Sequence, residues 1–180
     1  FLSTLYGDYG DAGNAIEIAK EGLAVSANRQ QFYFLLGEAY FKAGEEDLAM
    51  ETLKRAYELA PEYTEAMINY AVVLIFSGRV AEAEAIIKEQ TGEEIFPDTK
   101  LINAYAAIGD FDKVLLVWER LVKQDPNDPE FRLGLASAYV KMRQDAKAIG
   151  EIQEAIRIVP SFKAQGESFI QQIKDGKVER

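Results

Sequence analysis

Apolar and small side chains recur with the period of an α-helix over residues 30–63. In the first half of this stretch, the residues that share one helix face are Tyr33, Leu36, Gly37 and Tyr40. In the second half they are Ala49, Leu53 and Ala56. Gly44 between the halves and Pro61 at the end are typical of a turn and a helix stop. The pattern therefore predicts two amphipathic helices joined by a tight turn, with small residues facing large ones so that the helices approach closely.

This pattern returns three more times along the chain. The predicted turn residues are Gly44, Gly78, Gly109 and Arg143, which are separated by 34, 31 and 34 residues. Because the middle interval is shorter, we expect an irregular connection over residues 90–97, in which Gly92 ends one helix and Pro97 opens the next. Asp128 before Pro129 is typical of a helix N-cap followed by proline at the first helical position.

The beginning of the chain departs from the full pattern. Leu2 and Tyr6 stand where the large residues of a first helix are expected, so residues 1 to about 9 are predicted to be the back half of a helix. We expect the sequence to be cut from something longer. Gly10 takes the place of the turn, and residues 15–24 are predicted to form the partner helix.

The end of the chain is predicted to be a cap. A helix starting at Ser161 repeats the first-helix pattern, and no partner helix follows it. Its polar side chains are Gln171, Gln172, Lys174 and Asp175. Such residues suit a terminal helix that covers the last part of the core while meeting water, and we expect the tail over residues 176–180 to be frayed.

The order of an aromatic residue, Leu-Gly, Tyr, a small residue and Pro resembles the signature of the tetratricopeptide repeat (TPR) family. The residues that carry this resemblance most fully are Tyr33, Leu36, Gly37, Tyr40, Ala49, Leu53, Ala56 and Pro61. The resemblance implies an all-α fold, an α-solenoid of stacked helix-turn-helix repeats in a right-handed superhelix with a C-terminal capping helix. It covers essentially the whole chain as a single domain over residues 1–180. The predicted segments are a truncated repeat at 1–29, repeats at 30–63, 64–94, 95–128 and 129–162, and the capping helix and tail at 163–180.

Composition limits the chemistry that the chain can perform. Its 180 residues contain no Cys and no His, which excludes disulfides, thiolate zinc sites and catalytic triads that use His. The net charge of −10 comes from the first two thirds, since residues 1–60 carry 5 basic and 10 acidic groups and residues 61–127 carry 6 and 12. This balance argues against nucleic acid and anionic lipid as partners. The longest apolar run, at residues 71–76, is too short to span a bilayer.

Few residues are candidates for catalysis. Glu45, Glu46 and Asp47 open a predicted helix, where carboxylates complement the helix dipole, and Glu93 and Glu94 lie in an exposed link. Trp118 stands at the repeat position that other large apolar residues occupy in the other repeats. We therefore predict that it packs in the core. Glycines at 7, 10 and 13 lack the strand and the Gly-Lys-Ser/Thr of a phosphate loop, and the acidic residues beside them lack calcium-loop spacing. We therefore expect a protein that is not an enzyme and needs no cofactor.

The TPR resemblance also implies where a partner would bind. In that family ligands contact the concave surface. The residues of this chain at the equivalent repeat positions form the predicted groove. They are Phe34, Glu38, Phe41, Ile68, Asn69, Val72, Ile75, Lys100, Asn103, Leu133 and Ser137. Family members that clamp the C-terminal carboxylates of chaperones use paired Lys, Asn and Arg in these columns. Here apolar residues fill several of them, so we expect no such clamp.

The middle of this groove is apolar, and two hypotheses for it stay open. The predicted helix over residues 64–76 is apolar almost all round, so its second stripe must be buried by something beyond its own repeat. One hypothesis is that the strip holds a helix or extended peptide of a protein partner. The other is that tight coiling of the chain, or a homodimer mate, buries it permanently. The strip consists of Phe34, Phe41, Ile68, Val72 and Ile75.

The predicted function is a non-enzymatic scaffold that binds another protein. An alternative is that the chain is the soluble TPR tail of a larger bacterial membrane protein and serves in recruitment or assembly. Its residue pattern is similar to that of the repeat tails of O-antigen ligase or polymerase-like proteins. We expect a soluble segment, cytoplasmic or attached to a membrane protein, and the sequence leaves the compartment, the partner and the oligomeric state open.

Overall fold

The computed structural model describes residues 12–178, which form ten α-helices and one short 3₁₀ helix without a strand in that range. The helices of the first half are α1 (Ala12–Val25), α2 (Gln30–Lys42), α3 (Glu46–Leu59), α4 (Thr64–Phe76) and α5 (Val80–Thr91). Those of the second half are α6 (Thr99–Ala107), α7 (Phe111–Gln124), α8 (Pro129–Lys141), α9 (Asp145–Ile158) and α10 (Lys163–Lys174), with the 3₁₀ helix at Pro160–Phe162. The all-α prediction is confirmed.

The helices are grouped in two compact units, one ending at Glu94 and one beginning at Ile95. Within each unit successive helices contact each other and are joined by short turns, which makes them antiparallel neighbours. The division falls on a predicted repeat boundary, between the repeats at 64–94 and 95–128. That the chain is one domain stays a prediction. The predicted helix at residues 1–9 lies outside the described residues, and α1 begins three residues earlier than its predicted start.

The turns inside the helix pairs lie at the predicted residues, and each contains a residue in the left-handed conformation. Gly44, Gly78 and Gly109 have φ of 77°, 76° and 80°, and the amide after Gly44 donates to the carbonyl of Tyr40 at 2.9 Å. Arg143 occupies the same place in the last pair with φ of 56°, and it is the non-glycine residue with positive φ among residues 12–178. A side chain with a Cβ is strained in this conformation, so this turn holds a residue that the geometry disfavours.

We expect the substitution Arg143→Gly to raise the free energy of unfolding by about 1 kcal/mol, because the left-handed conformation costs an L-residue roughly 1–2 kcal/mol and glycine adopts it freely. Part of the gain is offset by the greater freedom of glycine in the unfolded chain. Urea denaturation followed by circular dichroism measures the change. Arg143→Ala is the control, since it removes the guanidinium but keeps the Cβ. Equal stability of the two variants would contradict the argument.

The predicted helix boundaries at Gly92 and Asp128 are confirmed, and the one at Pro97 is not. Gly92 ends α5 with φ of 72°, and the carboxylate of Asp128 accepts the amides of Glu130 at 2.8 Å and Phe131 at 3.3 Å with Pro129 at the first turn of α8. The prediction that Pro97 opens the next helix was wrong. Asp98 is the N-cap of α6, because its carboxylate accepts the amide of Lys100 at 2.8 Å and so satisfies a free N–H group of the first turn.

The core of each unit is built from small residues against large ones. In the first unit Ala49 and Ala56 of α3 are fully buried, and Gly37 of α2 faces Leu53 so closely that a Cβ on it would lie 2.5 Å from the Leu53 Cγ. In the second unit the Trp118 ring lies against Gly134, as the prediction of a packing role required. Glycine and alanine therefore set how near the helices approach.

The second unit also contains polar contacts between helices. Arg132 of α8 donates to the Glu151 carboxylate of α9 at 2.6 Å, and both side chains are mostly shielded from solvent. The Tyr139 hydroxyl donates to Glu119 at 3.0 Å. Burial, and secondarily this hydrogen bond to a carboxylate, raise the pKa of Tyr139 to about 12. These contacts link α8 to α9 through Arg132 and to α7 through Tyr139.

Helix α10 caps the second unit as expected, with Ile170 and Ile173 turned into the core and its polar residues exposed. Two details differ from the prediction. A 3₁₀ turn at Pro160–Phe162 precedes the helix. The tail forms a hydrogen-bonded turn instead of fraying, as far as residue 178. Gly176 has φ of 68° and its amide donates to the carbonyl of Ile173 at 3.1 Å. This closure turns the chain back, so Val178 packs against the core cluster.

Candidate interaction site

A small cavity opens between α2 and α4 of the first unit, and we call it the first cavity. Its volume is about 110 Å³ and its wall is mainly apolar. The lining residues are Phe34, Glu38, Phe41, Leu53, Asn69, Val72 and Val73. The side chains come from the first helices of two neighbouring repeats, apart from Leu53, which reaches the cavity from α3. The spacing of i, i+3 and i+4 along α4 places its contributing residues on one side of the helix.

Five of the predicted groove residues line this cavity, namely Phe34, Glu38, Phe41, Asn69 and Val72. Three predicted residues are buried, with 4% of Phe34, 5% of Ile68 and none of Ile75 exposed to solvent. Those three are packing residues in this chain. The accessible part of the predicted strip is therefore smaller than the sequence suggested, and it centres on the half-buried Phe41 and Val72.

The burial of Ile68 and Ile75 agrees with the expectation that the second apolar stripe of α4 is covered. Phe41 contributes to this packing, since its ring centroid lies 4.9 Å from that of Phe76. The sequence reasoning missed Leu53 and Val73 as lining residues. The sequence predicts that Leu53 packs between α2 and α3, and the floor of the cavity lies at that contact.

The polar groups of the first cavity stand at its rim. Glu38 pairs with Lys42 at 2.9 Å across one turn of α2, and both side chains are substantially exposed. An exposed pair of this kind contributes little to stability, so its partners are easily redirected to a ligand. The rim thus offers a carboxylate and the Asn69 amide around an apolar opening.

The remaining predicted residues lie in the second unit, on α6 and α8. Lys100 and Asn103 are exposed on α6, and Leu133 is half-buried on α8. Ser137 is exposed and donates its hydroxyl to the Leu133 carbonyl at 2.9 Å. It lines a second, wider cavity of about 410 Å³ beside the capping helix, a feature that the sequence pattern gave no reason to expect.

Several titratable groups in the described range form exposed pairs on the surface. The pKa of Glu82 is lowered by its hydrogen bond from Arg79, and the pKa of Glu154 is lowered by its hydrogen bond from Arg157. Burial raises the pKa of Tyr70. Glu45, Glu46 and Asp47 are exposed at the start of α3, and among residues 12–178 no group of three or more acidic side chains converges as a metal site would require.

In the same part of the chain no helix has both the length and the apolar character needed to cross a bilayer.

Comparison with known proteins agrees with this architecture. A sequence model of the tetratricopeptide repeat family matches residues 3–159. Over 134 residues the chain is 29% identical to the human protein O-mannosyl-transferase TMTC1. That match covers 72% of this chain but only 15% of TMTC1.

Solved structures with the same fold include PilW and YrrB. PilW, described as a widely conserved type IV pilus biogenesis factor, has a TM-score of 0.64 at 19% identity, covering 88% of this chain and 75% of PilW. YrrB, described as a TPR protein with an unusual peptide-binding site, has a TM-score of 0.50 at 18% identity, covering 88% and 83%. The residue pattern, the repeated helix pairs and the match over most of its length together show that the chain belongs to the tetratricopeptide repeat family.

Proposed function

We propose that this chain is a non-enzymatic interaction module whose first cavity takes an apolar side chain from a helix or extended peptide of another protein. The observation that carries the proposal is the cavity itself. It is lined by five of the eleven predicted groove residues, and it joins an apolar floor to a polar rim in the first unit. Sites of this form bind peptides by anchoring one or two side chains in pockets while the rim meets the peptide backbone.

The size of the cavity limits what it accepts. An apolar cavity of about 150 Å³ holds a benzene molecule, so a space of about 110 Å³ fits a branched aliphatic side chain. Phe41 and Val72 stand half-buried at the opening and would lose their remaining exposure when a partner binds. Burial of apolar area at such a point is the main source of affinity in small interfaces. The expected anchor is therefore Leu, Ile or Val.

The family and the charge of the chain support a protein as the partner. The peptide-binding site named for YrrB shows that this fold accommodates peptides, although only the fold is shared at 18% identity. A net charge of −10 disfavours nucleic acid, since phosphate binding needs a surplus of Lys and Arg. A homodimer is a further candidate, in which the partner segment comes from a second copy of the chain.

The substitution Val72→Asp tests the proposal. Peptides that bind the unaltered protein are selected from a random 12-residue display library, and their affinities are measured by fluorescence polarisation. We expect Val72→Asp to weaken binding at least tenfold, about 1.4 kcal/mol, because a carboxylate at the opening loses its hydration when the apolar anchor enters. Circular dichroism should show an unchanged helical content, because Val72 is only half-buried.

The matched control is Val25→Asp, which makes the same change at a side chain that is 91% exposed and not part of the first cavity. The Val25→Asp protein should bind the selected peptides with the same affinity as the unaltered protein. A library that yields no binders, or peptides that bind the Val72→Asp protein equally well, would contradict the proposal. Sedimentation of the purified chain distinguishes the homodimer, because self-association lost on Val72→Asp identifies a second copy as the occupant.

A second candidate is that these repeats are one part of a longer protein and recruit partners to it. The match to TMTC1 favours this, because there the similar segment accounts for 15% of the protein. The resemblance to the tails of O-antigen ligase or polymerase-like proteins stays a prediction. The mass of the full gene product, and its distribution between membrane and supernatant after lysis, decide between a free adaptor and a tail.

A further inference from the structure

We propose that Met50 is a site of reversible oxidation, at which a peroxide converts the thioether to a sulfoxide and the Arg79 guanidinium holds the new oxygen. Met50 lies on α3, and Arg79 is the residue that precedes α5. The modification therefore strengthens a link between two successive helix pairs of the first unit. The inference goes beyond the proposed function, because it concerns a covalent change and does not depend on what occupies the first cavity.

The Arg79 guanidinium is held in one orientation by Glu82. Its Nε and Nη2 donate to the two carboxylate oxygens of Glu82 at 2.7 and 2.6 Å. Such a pair of parallel hydrogen bonds fixes the plane of the guanidinium as well as its position. The remaining nitrogen, Nη1, donates to the sulfur of Met50 at 2.7 Å. A charged donor is thus aimed at a thioether from another helix pair.

This contact pairs a strong donor with a weak acceptor. A guanidinium N–H group forms charge-assisted hydrogen bonds, whereas a thioether sulfur accepts only weakly. Oxidation turns the same sulfur into a polar group whose oxygen is a strong acceptor. The sulfoxide of Met50 therefore receives a hydrogen bond from a donor that is already in place. Elsewhere the same change usually disrupts packing, because it makes an apolar side chain polar.

The site is open enough for the reaction. Met50 is half-buried, and 42% of the Arg79 side chain and 55% of the Glu82 side chain are exposed. A peroxide can reach the sulfur, and Arg79 can shift to make room for the oxygen. The chain has three methionines. Met67 is 1% exposed and so is protected, whereas Met142 at the end of α8 is half-buried like Met50.

The reaction needs a peroxide as its oxidant. With hydrogen peroxide, a lone pair of the sulfur attacks one oxygen, an S–O bond forms and the O–O bond breaks. The sulfur loses two electrons and the peroxide gains them. The proton on the transferred oxygen passes to the departing hydroxide, which leaves as water. The product is reduced back to the thioether by methionine sulfoxide reductases, so the modification is reversible.

The experiment uses the full chain carrying Met142→Leu, so that Met50 is the accessible methionine. The protein is treated with dilute hydrogen peroxide until its mass rises by one oxygen atom, and peptide mass spectrometry locates the oxygen. Thermal unfolding followed by circular dichroism compares the reduced and oxidised forms, with and without Arg79→Ala. Arg55→Ala is the matched control, because Arg55 lies on the same helix as Met50 in an exposed pair with Glu58.

We expect oxidation at Met50, with a midpoint of unfolding that is unchanged or higher while Arg79 is present. In the Arg79→Ala protein the same oxidation should lower the midpoint, so that the two responses differ by at least about 3 °C, as one hydrogen bond to a charged group predicts for a chain of this length. The Arg55→Ala protein should respond as the Met142→Leu parent does. Treatment with a methionine sulfoxide reductase should restore the original midpoint in each case.

Three results would overturn the proposal. They are oxidation of Met67 ahead of Met50, an equal response to oxidation with and without Arg79, and a response of Arg55→Ala that matches that of Arg79→Ala. Because the comparison is made on oxidised and reduced forms of the same variant, the effect of each substitution on stability cancels. None of these results bears on the Val72→Asp test of the first cavity.

Discussion

Replacing Ile68 with Asp is expected to lower the free energy of unfolding by about 3–5 kcal/mol, because it places an unpaired carboxylate where a buried aliphatic side chain packs. Ile68 lies on α4, one turn before Val72, and is almost completely excluded from water. The cost is of the size reported for an uncompensated buried charge, and it is a large part of the stability of an ordinary domain. Urea denaturation monitored by circular dichroism gives the change directly.

Val72→Asp is the matched comparison, because it adds the same charge to the same helix at a half-buried side chain. We expect it to cost less than about 1 kcal/mol in stability while it removes peptide binding. The two variants must therefore be made separately, since a double variant would unfold before its affinity could be measured. If Ile68→Asp proved as stable as Val72→Asp, the packing role assigned to Ile68 would be wrong.

The substitution Gly37→Val is expected to lower the free energy of unfolding by about 3 kcal/mol. A Cβ at this position would lie 2.5 Å from Cγ and 2.7 Å from Cδ2 of Leu53, and contacts this short do not occur unless one of the groups shifts. Leu53 is itself buried, so its side chain has little room to move aside. Helices α2 and α3 would have to separate, which opens gaps among the other residues between them.

Gly150→Val is the control for this prediction. Gly150 lies inside helix α9, and a Cβ there meets no atom within 4 Å. The same change is therefore expected to leave stability within about 0.5 kcal/mol of the original, as for most surface substitutions. Thermal and urea denaturation of both variants test the contrast. Equal losses would contradict close packing as the cause of the effect at Gly37, because helix propensity by itself favours Val over Gly.

These predictions bear on function through the first cavity. Leu53 forms part of its floor, so a backbone shift caused by Gly37→Val should also weaken peptide binding. The effect would come from displaced helices and not from a lost contact with the ligand. Affinity measured at a temperature where the variant is still folded separates the two causes.

The predictions from sequence succeeded where a local physical rule applied. Helix pairs follow from the helical period of apolar residues, three of the turns follow from glycines, which tolerate positive φ, and the Asp128 cap follows from a carboxylate placed before a free amide. Pro97 shows the limit of such rules. Proline and aspartate both favour a helix start, and only the geometry shows that Asp98 forms the cap.

The candidate site depended on information that the sequence does not contain. Phe34, Ile68 and Ile75 have the same apolar character as Phe41 and Val72, and all stand in columns that face the groove in other members of the family. Their different exposure is decided by which helices lie nearby. The wider cavity beside the capping helix depends in the same way on the tail, which turns back at Gly176 instead of fraying.

The amino-acid sequence alone determined the repeated helix pairs, the family and the absence of Cys and His chemistry, because helix period, turn conformation and residue inventory are local properties. The tertiary structure alone decided which apolar residues are packed away, where the two cavities lie and which charges border them. The physical reason is that burial is a property of neighbours distant along the chain, and an apolar side chain is equally suited to a core and to a binding surface.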